Sequence, residues 1–177
     1  SELSVQTVEE FLDTTIHFYG RINMEGLISG VDAIGGVTVN NPIEFSHGGH
    51  TFKQGKITLN GEQALIYSRM RKNDPRGDLG RNTRQQEIID AMIDKAVSFD
   101  SFTRITDIFD MLGTNVQTNV KMDEMRSLFF NYRGTRSNTV KDEIKGTGQI
   151  IDRVWYYIVS DEEVNRIRTV IKNHMNE

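Results

Sequence analysis

Apolar residues recur at helical spacing along much of the chain, and the gaps between these stretches are marked by glycine, asparagine or proline. Within Ser4–Asp13, Val8, Phe11 and Leu12 form an apolar stripe. This predicts a helix with Ser4 as its cap and Thr7 and Glu10 at capping-box spacing. Thr15–Ile22 alternates and is rich in β-branched and aromatic residues, as a strand is. Asn23 is placed to cap a second helix reaching Gly30 or Ile34, with Met24, Leu27, Ile28 and Val31 on one face and Gly35-Gly36 at its end. Val37–Asn40 reads as a short strand stopped by Pro42. This opening order of helix, strand, helix, strand predicts an α/β layer fold with parallel neighbours.

Further along, Ser46–His50 reads as a loop and Thr51–Leu59 as a small hairpin turning at Gln54-Gly55. Asn60 then caps a short helix from Gly61 to about Ser68. The clearest periodicity lies in Asn82–Val97, where Ile88, Ile89, Met92, Ile93 and Ala96 recur on a helix. Phe102–Leu112, ended by Gly113, and Met122–Phe130, capped by Asn119 or Asp123, predict two more helices. Thr139–Gly148 reads as a polar strand region and Ile150–Val159 as a buried strand. Ser160-Asp-Glu-Glu starts a last helix running to His174.

Composition narrows the classes. At 177 residues, 37% hydrophobic and 26% charged, the chain has the material for one globular domain with a real core. No apolar run reaches bilayer length. The opening Ser1-Glu-Leu-Ser-Val lacks the basic start and apolar stretch of a signal peptide, which fits a cytoplasmic protein or an excised segment. The chain has no cysteine, so disulfides, thiolate metal sites and a cysteine nucleophile are excluded. Its net charge of −4 argues against broad nucleic-acid binding.

Charge is concentrated in one place. Arg69, Arg71, Lys72, Arg76, Arg81 and Arg84 face only Asp74 and Asp78, so this window is net +4 in a chain whose remainder is −8. Arg69 and Arg71 are two apart and share a side of an extended segment. Paired guanidiniums repel unless an anion lies between them, and their planar forks suit phosphate or carboxylate. Arg81 and Gln85 share a face near the start of the following helix, whose free N–H groups favour a phosphate. Arg69, Arg71, Arg81 and Gln85 therefore propose one anion site, with Arg76 and Arg84 as outer contacts. The competing reading is a set of solvated arginines paired with Asp74 and Asp78. Those two aspartates suit Mg²⁺ chemically, but neutralising arginines or capping the helix accounts for them more simply. His47 and His50 in their glycine-rich loop lack a third ligand, His17 reads as structural, and Gly35-Gly36 lacks dinucleotide-fingerprint spacing. No metal ligands are assigned within the chain.

Three ordered segments, Val31–Val39 (VDAIGGVTV), Gly61–Arg71 (GEQALIYSRMR) and Gly77–Gln86 (GDLGRNTRQQ), together resemble the LytR–CpsA–Psr family. The likeness is close over about residues 4–100 and continues in layout beyond them. It implies an α/β/α sandwich with a central mixed, largely parallel sheet and an apolar lipid tunnel. It also implies a membrane-anchored protein of a Gram-positive bacterium with its catalytic domain outside the cell. Such proteins transfer an anionic glycopolymer, wall teichoic acid for example, from an undecaprenyl-diphosphate carrier to a muramic acid hydroxyl of peptidoglycan.

By the same resemblance, Arg69, Arg71, Arg81 and Gln85 match pyrophosphate-binding residues, and the three arginines would stabilise charge during transfer. The family's anchor helix and its Arg-Ser-Asp motif, whose aspartates hold Mg²⁺, have no counterpart in residues 1–177. The expectation is a single partial domain, inactive by itself, with its Mg²⁺ ligands outside the chain and a dimer formed through an exposed sheet edge. A transcriptional regulator or attenuator, or a non-catalytic polyprenyl-phosphate-binding module, is the alternative.

Overall fold

The computed structural model describes residues 2–71, 74–99, 102–132, 134 and 140–175. In chain order the elements are α1 (Glu2–Leu12), β1 (Gly20–Ile22), α2 (Met24–Ala33), β2 (Val37–Asn41), β3 (Phe45–His47), β4 (His50–Phe52), β5 (Gly55–Leu59) and α3 (Gly61–Arg69). They continue with α4 (Asp78–Val97), α5 (Phe102–Leu112), a 3-10 turn (Gly113–Asn115), β6 (Val116–Thr118), α6 (Met122–Tyr132), β7 (Thr147–Ile151), β8 (Val154–Ile158) and α7 (Asp161–Met175). Two compact units result: Gly20–Arg136 is one, and Ser1–Tyr19 with Ser137–Glu177 is the other. Among the described residues no helix is long and apolar enough to cross a membrane.

Local chemistry explains the ends of α2 and α3. The Asn23 side chain accepts the Gly26 N–H at 2.7 Å, and Asn60 and Gln63 form a reciprocal capping box. Gly35 and Gly36 both have positive φ, which lets their N–H groups turn back to the carbonyls of Asp32 and Val31 at 2.9 and 2.8 Å. Asp32 then reaches across to accept the Gly61 N–H at 2.7 Å, tying the end of α2 to the start of α3. The two helices approach so closely here that a Cβ on Gly61 would lie 2.2 Å from the Ile28 carbonyl oxygen. Gly61→Ala is expected to cost about 1–3 kcal/mol through this overpacking. A thermal melt indistinguishable from wild type would show that the helices can separate freely.

The core of the Gly20–Arg136 unit lies between β2–β5, α2, α3 and α4. Val37 and Val39 on β2 and Leu59 on β5 point inward, and Val31, Ala64, Tyr67 and Ile88 meet them from the helices. Phe45, Phe52 and Tyr67 form an aromatic trio with centroids 4.9–5.7 Å apart.

The strands pair differently from the sequence expectation. Each described sheet has two strands, and every pairing is antiparallel: β1 with β6, β2 with β5, β3 with β4 and β7 with β8. β1 and β2, the expected parallel neighbours, pair with strands later in the chain instead. The loop expected at Ser46–His50 is the tip of the β3–β4 hairpin, because Gly48 and Gly49 both take the positive φ of a tight two-residue turn. Conversely, no hairpin forms at Gln54-Gly55. The Gln54 side chain bonds the Pro42 carbonyl, and β5 leaves β4 to pair with β2. The strand expected over Thr15–Ile22 is confined to its last three residues.

In the other unit, Thr7 Oγ1 donates to the Leu3 carbonyl inside α1, so the expected Thr7–Glu10 box is not made. At the far end of α1, Arg168 of α7 donates to the carbonyls of Glu10 and Phe11, a favourable place for a cation. The expected buried strand Ile150–Val159 is a hairpin turning at Asp152-Arg153, and Ile150 and Trp155 are 72% and 59% exposed. Thr139, where the polar strand region was to begin, lies outside the described residues; Val140–Gly146 has no regular structure.

Candidate functional site

The basic segment leaves α3 at Arg69, extends through Met70 and enters α4 at Asp78, four residues earlier than periodicity predicts. Gly77 precedes that helix with φ +56 and no side-chain cap. Lys72, part of the sequence-defined cluster, lies outside the described residues.

Of the seven described charged positions, two form a sealed pair and three an open group. Asp74 is sealed: its side chain is 1% exposed and that of Arg84 is 0%. Arg84 donates to Asp74 Oδ2 at 2.5 Å and to the Met70 carbonyl at 2.6 Å, and its guanidinium lies over the rings of Phe45 and Tyr67. Asp74 Oδ1 accepts the Arg76 backbone N–H at 2.7 Å, with Arg76 Nε 3.5 Å away. Burial pushes the Asp74 carboxyl up. The hydrogen bonds from Arg84 and Arg76 and the two guanidinium charges outweigh burial and hold it below the usual carboxylate range. Gly80 makes this packing possible, since a Cβ there would fall 1.9 Å from Asp74 Oδ2. Next to it, Tyr67 donates its hydroxyl to Glu87 at 3.1 Å. Burial and the Glu87 charge push that phenol well above its ordinary value. Arg84, expected as an outer anion contact, is therefore a core cation that anchors the segment to α4.

The open group is Arg71, Asp78 and Arg81. Asp78 Oδ1 is 3.4 Å from Arg71 Nε and 2.9 Å from an Arg81 terminal nitrogen, so residues from two elements converge on one oxygen atom. Arg81 Nε is buried and has no hydrogen-bond partner among the described residues. Gln85 is exposed one turn further along α4. Arg69 is exposed at the end of α3 and points a terminal nitrogen at Met24 Sδ, 3.8 Å away. Arg76 is half exposed beside Asp74. The structure thus draws Arg71 and Arg81 together and places Arg69 and Arg76 on other partners.

Below this group an apolar groove of about 400 Å³ opens between α2, α4 and α5. Its walls include Ile22, Ile34, Ile89, Met92, Ile93 and Phe109. Gly30 lies in its lining, where an added Cβ would come within 3.1 Å of Met92 Cε.

Among the described residues no group of three or more His, Asp or Glu side chains could hold a metal ion. Asp74 and Asp78 are both engaged by arginines. They do not form a Mg²⁺ site by themselves.

The sequence reading gave Asp74 an arginine partner but missed the burial of that pair and the parts played by Gly80 and Glu87. One signal was available: Gly80, Arg84 and Ile88 recur every fourth residue, placing Arg84 on the stripe of a core isoleucine.

Comparison with known proteins gives a consistent result. The model of the LytR_cpsA_psr family matches residues 1–173. The chain is 55% identical over 176 residues to the polyisoprenyl-teichoic acid–peptidoglycan teichoic acid transferase TagU of Oceanobacillus iheyensis, covering 99% of this chain and 55% of that protein. It thus spans about half the length of such relatives. The crystal structure of B. subtilis TagU aligns with a TM-score of 0.77 at 38% identity, covering 98% of this chain and 71% of that one. The X-ray structure of a transcriptional regulator from Enterococcus faecalis aligns with a TM-score of 0.89 at 34% identity, covering 99% and 66%. With its mixed α/β fold in common with these structures, the chain belongs to the LytR–CpsA–Psr family.

Proposed function

We propose that the protein carrying this chain transfers a teichoic-acid-like glycopolymer from undecaprenyl diphosphate to peptidoglycan, and that this chain supplies the donor site. One observation carries the reading: a single face of α4 is polar at one end and apolar at the other. Arg81 and Gln85 lie at its N-terminal end, and Ile89, Met92, Ile93 and Ala96 continue the same face into the groove. From Arg81 to Ala96 the face runs roughly 22 Å. Ile89 and Ile93 are 50% and 43% exposed, as a lipid-contacting stripe requires and a core stripe does not. A ligand with an anionic head and a long apolar tail matches this order. The name of the 55%-identical relative, a polyisoprenyl-teichoic acid transferase, supports the same chemistry.

In this proposal Arg71 and Arg81 hold the diphosphate, Gln85 donates to it, and Arg69 joins them by turning away from Met24. The groove is the described part of an apolar tunnel beneath a larger mixed sheet. An acceptor hydroxyl attacks the polymer-bearing phosphorus and gives up its proton to water. The bond to the bridging oxygen breaks, its electron pair leaves with the lipid phosphate, and the arginines stabilise the charge that develops. Mg²⁺ is assigned to aspartates outside this chain. The reaction is placed on the outer side of a Gram-positive cell membrane, where the polymer and the wall meet.

The groove has its own test. Ile93→Glu puts a carboxylate where the tail would lie. Affinity for a long-chain polyprenyl diphosphate is expected to fall about tenfold or more, with inorganic pyrophosphate binding unchanged. Equal losses for both ligands, or none, would remove the groove from the donor site. Salt-dependent binding of duplex DNA by the wild type would favour the regulator reading that the name of the Enterococcus relative suggests.

A further inference from the structure

Asp78 sits where the proposed donor's phosphate would sit. We infer that its carboxylate is an internal counter-anion, which keeps Arg71 and Arg81 converged in the absence of ligand and must be displaced when an anion binds. The inference rests on the reading of this segment as a diphosphate site.

The geometry separates Asp78 from the other aspartate in the segment. Asp74 is held by a fully buried guanidinium and cannot leave without stranding that charge. Asp78 is 39% exposed, and its partners Arg71 and Arg81 are 63% and 35% exposed. Water can replace each of its contacts, so exchange with another anion is open to it. Asp78 is the first residue of α4, where a negative charge is favoured by the helix dipole, so the backbone fixes its position. From there one oxygen meets both guanidiniums, at 3.4 and 2.9 Å. Without a negative charge at that point the two cations would repel and spread. The arrangement leaves donors over: Arg81 Nε is buried without a partner among the described residues, and the Arg71 Nε approach to Asp78 is long, at 3.4 Å. A diphosphate, with more oxygens and more charge than a carboxylate, can engage both forks and the orphaned Nε together. The cost is displacement of Asp78 and its residual repulsion, which lowers affinity and favours release once the product leaves.

A purely structural role for Asp78 makes the opposite prediction from a counter-anion role. If Asp78 only braces the helix start, Asp78→Asn lowers stability and binds the anion no more tightly than wild type. If Asp78 competes with the ligand, the same change strengthens binding. The experiment is isothermal titration of inorganic pyrophosphate into the wild-type chain, Asp78→Asn, Asp78→Glu, Arg71→Ala and the Asp78→Asn/Arg71→Ala double variant. Thermal melts confirm that each is folded. Asp78→Asn is expected to bind about five- to tenfold more tightly than wild type, and Asp78→Glu to return toward wild type. The gain from Asp78→Asn should shrink in the Arg71→Ala background, the mark of coupling between the two positions. Equal or weaker binding by Asp78→Asn, with wild-type binding that Arg71→Ala abolishes, overturns the counter-anion role and leaves the donor site standing. Binding that Arg71→Ala does not change, or no binding by either wild type or Asp78→Asn, overturns the donor-site reading and this inference with it.

Discussion

Asp74→Ala is expected to destabilise the fold by about 3–5 kcal/mol. The cause lies in what remains. Arg84 is wholly buried, and its charge is balanced by Asp74 alone among the carboxylates paired with it. Removing Asp74 leaves a guanidinium with the Met70 carbonyl, two aromatic faces and no ion-pair partner among the described residues. It also frees the Arg76 backbone N–H and with it the turn that leads into α4. Asp74→Asn keeps the shape but not the charge and should recover a minority of the loss. Replacing both partners with apolar residues of similar volume should recover much more, because a buried ion pair contributes little net stability once both charges are absent. Urea denaturation at neutral pH reads all three variants. A loss below about 1 kcal/mol for Asp74→Ala would mean that Arg84 reaches water when unpaired.

The same pair sets a pH dependence. The Asp74 carboxyl is held below its ordinary range in the folded chain, so folding favours its ionised form. Its contribution is complete above the ordinary aspartate value of about 4 and is lost as pH falls through the lower folded value. Wild-type stability should therefore fall on acidification below about pH 4–5. Asp74→Ala should show a shallower acid limb over the same interval, having no such carboxylate to protonate.

The helices could be read from sequence because their signals are local. Asn23 and Asn60 cap the helices assigned to them, and Gly35-Gly36 ends the first of these through its left-handed backbone. Strand pairing is not local. β2 chooses β5, eighteen residues away, by matching inward valines to Leu59 and Ile57, a choice that alternation within either strand does not specify. The Asp152-Arg153 turn interrupts the apolar run Ile150–Val159, but without the glycine that most strongly announces such a turn, periodicity alone reads through it.

At the site, composition located the segment, but sorting its charges required the tertiary structure. Arg81 and Arg84 differ by three positions, and both follow a run of arginines and aspartates. The helix turns one toward Asp78 and the solvent-facing group, and the other onto the aromatic trio. A count of charges treats the two alike. Burial separates a side chain that can change partners from one that cannot. That distinction leaves Arg71 and Arg81 open to the proposed anion and holds Arg84 in the core.

Arg71→Ala is expected to lower glycopolymer transfer by about 10²–10³-fold in the intact protein, with little change in stability. The two halves of this expectation have separate grounds. The side chain is 63% exposed and its one described ionic contact is the 3.4 Å approach to Asp78, so truncation removes no core packing and at most a weak surface pair. Its proposed partner in the reaction is the diphosphate, whose charge grows on the leaving lipid phosphate as the bond breaks. A fixed cation at that point acts most strongly in the transition state. Arg71→Lys should restore part of the rate at best, since an ammonium supplies charge without the planar fork. Steady-state kinetics with a lipid-linked donor distinguish the possible roles: a fall in kcat and kcat/KM together marks stabilisation of developing charge, and a rise in KM alone marks simple donor binding. Unchanged rates in a folded Arg71→Ala protein would remove Arg71 from the centre. Arg84→Ala is the instructive contrast, because it should fail through loss of the fold, and its melt should report that before any assay does.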